Sequence, residues 1–127
     1  MRQVKHLLKQ HDWVNGNLHT KPFEIAAFWP RLQSVSDHLV VYIEGDGFAW
    51  RSRSTPSADP TPINPLALRL ALVRPADGVA YLGRPCQYVG ANRHGCSQRY
   101  WTHARFSPEV IEAMDSALNQ LKDMFDA

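Results

Sequence analysis

The chain has 127 residues, 44% of them hydrophobic, which is one domain's length with enough apolar content for a core. Fourteen Lys and Arg against twelve Asp and Glu leave a net charge of +2, with no block of like charge. The densest basic stretch, Arg51-Ser52-Arg53, is too short for the aromatic-interleaved basic stripe of a nucleic-acid binder, and no apolar run approaches the roughly 18 residues of a membrane span.

From Met1 to Asp12, Arg2, Lys5, His6 and Lys9 alternate with Val4, Leu7 and Leu8. That spacing predicts a short amphipathic helix, and it lacks the continuous apolar stretch of a secretory signal. Phe23 to Phe28 (FEIAAF) reads as a strand that closes at Trp29-Pro30, where proline interrupts pairing. Leu39 to Glu44 (LVVYIE) is the strongest strand pattern, with apolar residues in an unbroken run, and it is expected to be buried on both faces. It stops at Gly45-Asp46-Gly47, a loop whose glycines permit unusual backbone angles.

Arg51 to Pro65 carries four prolines among Ser, Thr and Asp and is expected to be irregular, either a mobile flap or a surface loop. Pro65 suits the first turn of a helix capped by Asn64, and Leu66, Leu68, Leu70, Leu72 and Val73 make that helix apolar on most sides. Asp77-Gly78 is a turn and Val79 to Leu82 a strand. Ser107 is an N-cap, Pro108 takes the first helical position, and Val110, Ile111, Met114, Leu118, Leu121 and Phe125 recur on one helical face. Strands alternating with helices predict an α/β fold, a mainly parallel sheet with flanking helices, with residues 1–127 lying within one domain. Ligands in such sheets sit at the C-terminal ends of strands, where the Gly45–Gly47 loop lies.

Cys86 and Cys96 are either two unrelated thiols or a disulfide. The loop between them, Gln87 to Gly95, is polar and glycine-bearing, and closing it would stabilise the fold by roughly 2.5–3 kcal/mol. Such a bond favours an oxidising compartment. His94 is close, but no second Cys or His pair has zinc-ligand spacing, and Glu44 with Asp46 lacks a usefully placed histidine. Neither a metal nor another cofactor is expected.

The stretch from Leu39 to Trp50, LVVYIEGDGFAW, resembles the third strand and oxyanion loop of the α/β-hydrolase superfamily, many members of which carry His-Gly where Glu44-Gly45 stand here. The likeness continues through Pro65–Val73, Val79–Leu82, Arg84-Pro85-Cys86-Gln87-Tyr88, Arg99-Tyr100-Trp101-Thr102 and the helix from Pro108. It is similar to a bacterial esterase- or lipase-like branch, often exported, with a cysteine pair at these places. The resemblance implies the N-terminal half of a serine hydrolase acting on small-molecule esters, periplasmic or secreted. Its oxyanion donor would be the Asp46 N–H, with Gly45 and Gly47 allowing close approach; such donors stabilise the negative charge of the transition state. Phe48, Trp50 and Tyr88 would line an acyl pocket.

Two acids beside such a site oppose the developing charge. Asp46 is therefore expected to turn its side chain away, and Glu44 to pair with Arg51, Arg99 or Arg105. No Gly-x-Ser-x-Gly nucleophile motif is present; the nearest stretch, Gly95-Cys96-Ser97-Gln98-Arg99, lacks the second glycine and a preceding strand. The catalytic triad is expected beyond Ala127, leaving the strand at Leu39–Glu44 with an open edge through which the isolated chain self-associates. The competing expectation is a non-enzymatic α/β module that holds an anion on the Gly45–Gly47 backbone.

Overall fold

The computed structural model describes residues 2–32, 37–75 and 77–125. Met1, where the first helix is expected to begin, and Ala127 lie outside the described residues. Helix α1 (Arg2–His11) leads into β1 (Trp13–His19) and β2 (Glu24–Pro30). There follow β3 (Val40–Ile43), α2 (Leu66–Leu72), β4 (Val79–Leu82), a 3₁₀ turn over Gln98–Trp101 and α3 (Pro108–Met124). The strands form one four-stranded sheet in the order β1-β2-β4-β3.

This is a small mixed α/β fold, but the expectation of a mainly parallel sheet is corrected. Only β3 and β4 run parallel; β1 with β2 and β2 with β4 are antiparallel. The cause is connection length. Residues 20–23 join β1 to β2 too briefly for anything except a reversal, whereas the long excursion containing α2 is a crossover that returns the chain in the same direction. The strand β1 was not expected, because Asn15, Gly16 and Asn17 break its apolar pattern. Gly16 has a packing reason: a Cβ there would lie 2.5 Å from the Trp29 ring across the hairpin.

The pleat divides the core in two. Ile25, Ala27, Ala80 and Leu82 face α3, where they pack with Val110, Ala113, Ala117 and Leu121. Ala26, Phe28, Val79 and Tyr81 face the opposite side, against Val4 and Leu8 of α1 and Leu68, Ala71 and Leu72 of α2. Residues of β3 follow the same alternation, Val41 toward α3 and Tyr42 toward α2.

Three local expectations are also corrected. The strand β3 is half-buried and Ile43 is 44% exposed, because β3 is the last strand of the sheet and no described strand covers its far side. Helix α2 buries one face only, leaving Leu66 and Leu70 exposed. Asn64 does not cap it; the N-cap is Pro65, and the Asn64 side chain instead accepts a hydrogen bond from Arg69. Helix α3 has Ser107 at its N-cap, yet the hydroxyl makes no cap bond and the Ser107 carbonyl receives the Val110 and Ile111 N–H groups. The buried stripe of α3 is Val110, Ala113, Ala117 and Leu121, so the small alanines face the sheet while Ile111 points outward.

Candidate functional site

The loop Gly45-Asp46-Gly47 leaves the C-terminal end of β3, beside the equivalent end of β4 at Gly83-Arg84. Two bonds fix its limbs. The Glu44 N–H donates to Leu82 at 2.9 Å, and the Phe48 N–H donates to Pro60 at 2.9 Å. Gly47 adopts φ +65°, and a Cβ there would sit 2.2 Å from the Pro60 carbonyl oxygen and 2.6 Å from Gln87 Nε2. Only glycine satisfies both conditions. Gly45 is different: its φ is not positive and a Cβ would meet nothing within 4 Å.

Gly45 donates its N–H to Glu44 Oε1 at 3.1 Å and receives Gln87 Nε2 on its carbonyl at 3.0 Å. Among the described residues, the N–H groups of Asp46 and Gly47 donate to no protein acceptor. Two consecutive unpaired amides beyond the carboxyl end of a strand can receive an anion or a polarised carbonyl oxygen.

Glu44 is 9% exposed and pairs with no arginine, which corrects the expected ion pair. Its Oε2 accepts from the Tyr81 hydroxyl at 2.7 Å, and Tyr81 in turn lies 3.0 Å from the Tyr88 hydroxyl. The pleat explains the choice: Glu44 falls on the α2 side with Tyr42 and Tyr81, while Arg84 and Arg105 lie on the α3 side. Arg99 is occupied over the Tyr100 ring. Burial, with Tyr88 and Glu44 adding to it, pushes the Tyr81 hydroxyl far above the ordinary tyrosine range. Burial also raises Tyr88, to about 12. The carboxylate thus accepts from a phenol that keeps its proton.

The second acid is answered by one of the three arginines expected for the first. Asp46 Oδ2 stands 3.5 Å from Arg105 Nε, both side chains being partly exposed. The Arg105 and Arg84 guanidiniums lie 5.1 and 5.3 Å from the centroid of the Phe106 ring, and each also donates to a backbone carbonyl, of Thr102 and Arg105 respectively. Burial holds Arg84 below the usual arginine value, Asp46 working against that shift and Arg105 with it. Two cations and one carboxylate therefore leave this side of the loop net positive, a polarity suited to negative charge.

The expected pocket residues do not converge. Phe48 lines a shallow depression with Glu44, Gly47 and Pro62. Trp50 is 45% exposed and bridges to Pro56 in a small hairpin. Tyr88 packs edge-on against Phe28 at 5.3 Å and belongs to the α2-side core. The hairpin around Arg51–Thr55 is tethered: Ser57 hydrogen-bonds the Phe48 carbonyl, and Trp101 Nε1 donates to the Ser57 carbonyl at 3.2 Å.

Cys86 and Cys96 form a disulfide, Cα to Cα 5.6 Å. It borders the candidate loop through Gln87, a residue that sequence reasoning passed over. Gln87 is 1% exposed, and nothing in the linear pattern separates it from any other loop glutamine. Ser97 is exposed and precedes the 3₁₀ turn. Among the described residues no three His, Cys, Asp or Glu side chains gather as metal ligands would, and no helix is long and apolar enough to cross a membrane.

No protein-family profile matches this chain, and no curated protein or solved structure matches it. The functional reading rests on the geometry of the loop.

Proposed function

We propose that this chain is the N-terminal half of an α/β-hydrolase acting on ester bonds, and that it supplies the oxyanion donor at the Asp46 N–H. The observation that carries the reading is the pair of unpaired amides, Asp46 and Gly47, beyond the C-terminal end of the edge strand β3. In such a hydrolase, β3 lies between β4 and the strand bearing the nucleophile. Two features support a missing neighbour of that kind. The open edge of β3 has no described partner, and beside it runs an apolar groove of about 370 Å³ lined by Ile43, Phe106, Val110, Ile111, Met114 and Leu118. A strand seated there would pair with β3 and bury the exposed flank of α3.

The donor would act by differential stabilisation. Ester attack moves negative charge onto the carbonyl oxygen, and an amide already aimed at that oxygen strengthens its bond as the charge grows, with little reorganisation. Asp46 contributes only its backbone, its carboxylate being drawn to Arg105. Nucleophile, base and acid would come from outside the chain.

The test compares this chain with a protein in which it continues into a strand and a Gly-x-Ser-x-Gly turn. The longer protein is expected to hydrolyse p-nitrophenyl acetate and to take a fluorophosphonate label; this chain alone does neither. Labelling of this chain alone, or an inert longer protein with the serine in place, overturns the proposal. The net positive side formed by Arg84 and Arg105 also favours a second reading, a module that holds an anion on the same two amides without catalysis. That reading predicts phosphate-dependent shifts of the Asp46 and Gly47 amides in this chain, and an inert longer protein.

A further inference from the structure

We infer that Gln87 is the positioning residue of the Gly45–Gly47 loop, setting the direction of the Asp46 N–H through the carbonyl of Gly45. The inference rests on the proposed role of that N–H, but its geometry is independent of it. The Gly45–Asp46 peptide is trans, so its carbonyl and its N–H point in opposite directions within one rigid plane. Gln87 Nε2 donates to the Gly45 oxygen at 3.0 Å from a fully buried position. Anchoring the oxygen toward the interior turns the Asp46 N–H outward, where it has no protein acceptor.

The Gln87 amide has a single workable orientation. Its Oε1 accepts from the Arg84 N–H at 2.9 Å, a group that can only donate, while Nε2 faces a carbonyl that can only accept. A flipped amide would set like against like at both ends. The side chain thus ties the end of β4 to the end of β3.

The backbone around Gln87 is held at a conformational cost. Cys86 and Tyr88, on either side of it, both lie in the left-handed region at φ +76° and +68°. That region is unfavourable for any residue with a side chain. Both are restrained: Cys86 by the bond to Cys96, Tyr88 by its N–H to Thr61 at 2.8 Å and its hydroxyl to Tyr81. The two restrained neighbours fix where the Gln87 side chain enters the loop.

The test is made first on this chain by ¹H–¹⁵N NMR, with Gln87→Leu and Gln87→Glu. In Gln87→Leu the order parameters of the Asp46 and Gly47 amides are expected to fall from about 0.85 to below about 0.6 while those of α3 and β4 hold. In Gln87→Glu the introduced acid can donate to Gly45 only when protonated. Loop order should therefore match the wild type while the new carboxyl is protonated and drop to that of Gln87→Leu once it ionises, at a pH above the ordinary glutamate range because the position is buried. This pH rescue also serves if Gln87→Leu fails to fold. Unchanged loop order in Gln87→Leu, or loop order in Gln87→Glu that ignores pH, overturns the inference. In the longer hydrolase, Gln87→Leu should lower kcat about 100-fold with KM unchanged. An ordered-to-disordered change in the loop without that loss would instead sink the oxyanion role and leave the positioning role standing.

Discussion

The two loop glycines make a matched pair of substitutions with opposite expected outcomes. In Gly47→Ala the new residue must hold φ +65°, which costs about 1–2 kcal/mol for alanine. Its Cβ would also sit 2.2 Å from the oxygen of Pro60 and 2.6 Å from Gln87 Nε2. Pro60 and Gln87 are both buried and cannot retreat freely, so the loop must move instead. That movement weakens the Phe48 N–H bond to Pro60, worth about 1 kcal/mol net. The sum is about 2–3 kcal/mol, which for a chain of this size lowers Tm by roughly 10 °C. Gly45→Ala places its Cβ in open space at an ordinary φ and should stay within about 0.5 kcal/mol of the wild type. Thermal unfolding followed by circular dichroism, with urea titration for the free energies, measures both. Equal losses in the two variants, or a Gly47→Ala protein as stable as the parent, would refute the account of the loop.

Two further outcomes are expected. Tyr81 and Tyr88 have folded-state pKa values above the ordinary tyrosine value of 10.0, so between that value and about 12 the unfolded chain releases protons that the folded chain retains. Stability should hold below this window and fall as pH rises through it, and Tyr88→Phe should flatten the fall; a slope unaltered by the substitution would count against the buried phenol chain. The open edge of β3 and the groove beside it should make the isolated chain self-associate, and sedimentation velocity should show Ile43→Lys restoring the monomer by placing a charge on that edge. A wild-type chain that stays monomeric at high concentration would remove the argument for a missing neighbour.

Local signals were well read wherever one residue pattern decided one element. Leu39–Glu44, Val79–Leu82 and the Ser107-Pro108 helix start all stand in the structure as β3, β4 and α3. The misread features depend on partners distant in sequence. Strand β1 has a polar outer face and owes its glycine to Trp29, so its apolar alternation was too weak to register alone. Strand direction followed from that omission, because without β1 there was no hairpin to reverse β2. At the site, Gly47 was legible from its own chemistry. Gln87 was not, because its importance comes from one acceptor on Gly45 and one donor on Arg84, joined only by folding. The partner of Glu44 was misassigned for a similar reason: a carboxylate at the end of a buried strand suggested arginine, while alternation along β3 had already directed the side chain to the other face.

That alternation has a consequence for how the sequence can drift. Along β3, odd and even positions are delivered to chemically unlike compartments, one with arginines at its rim and the other closed by tyrosine hydroxyls. Substitutions change what a position carries, but a one-residue insertion or deletion within β3 would exchange the compartments themselves. Glu44 would then face the cations that now attend Asp46, and an aliphatic side chain would be left opposite two phenols with no acceptor. Parity of length in this short strand is thus under tighter constraint than the identity of most of its residues.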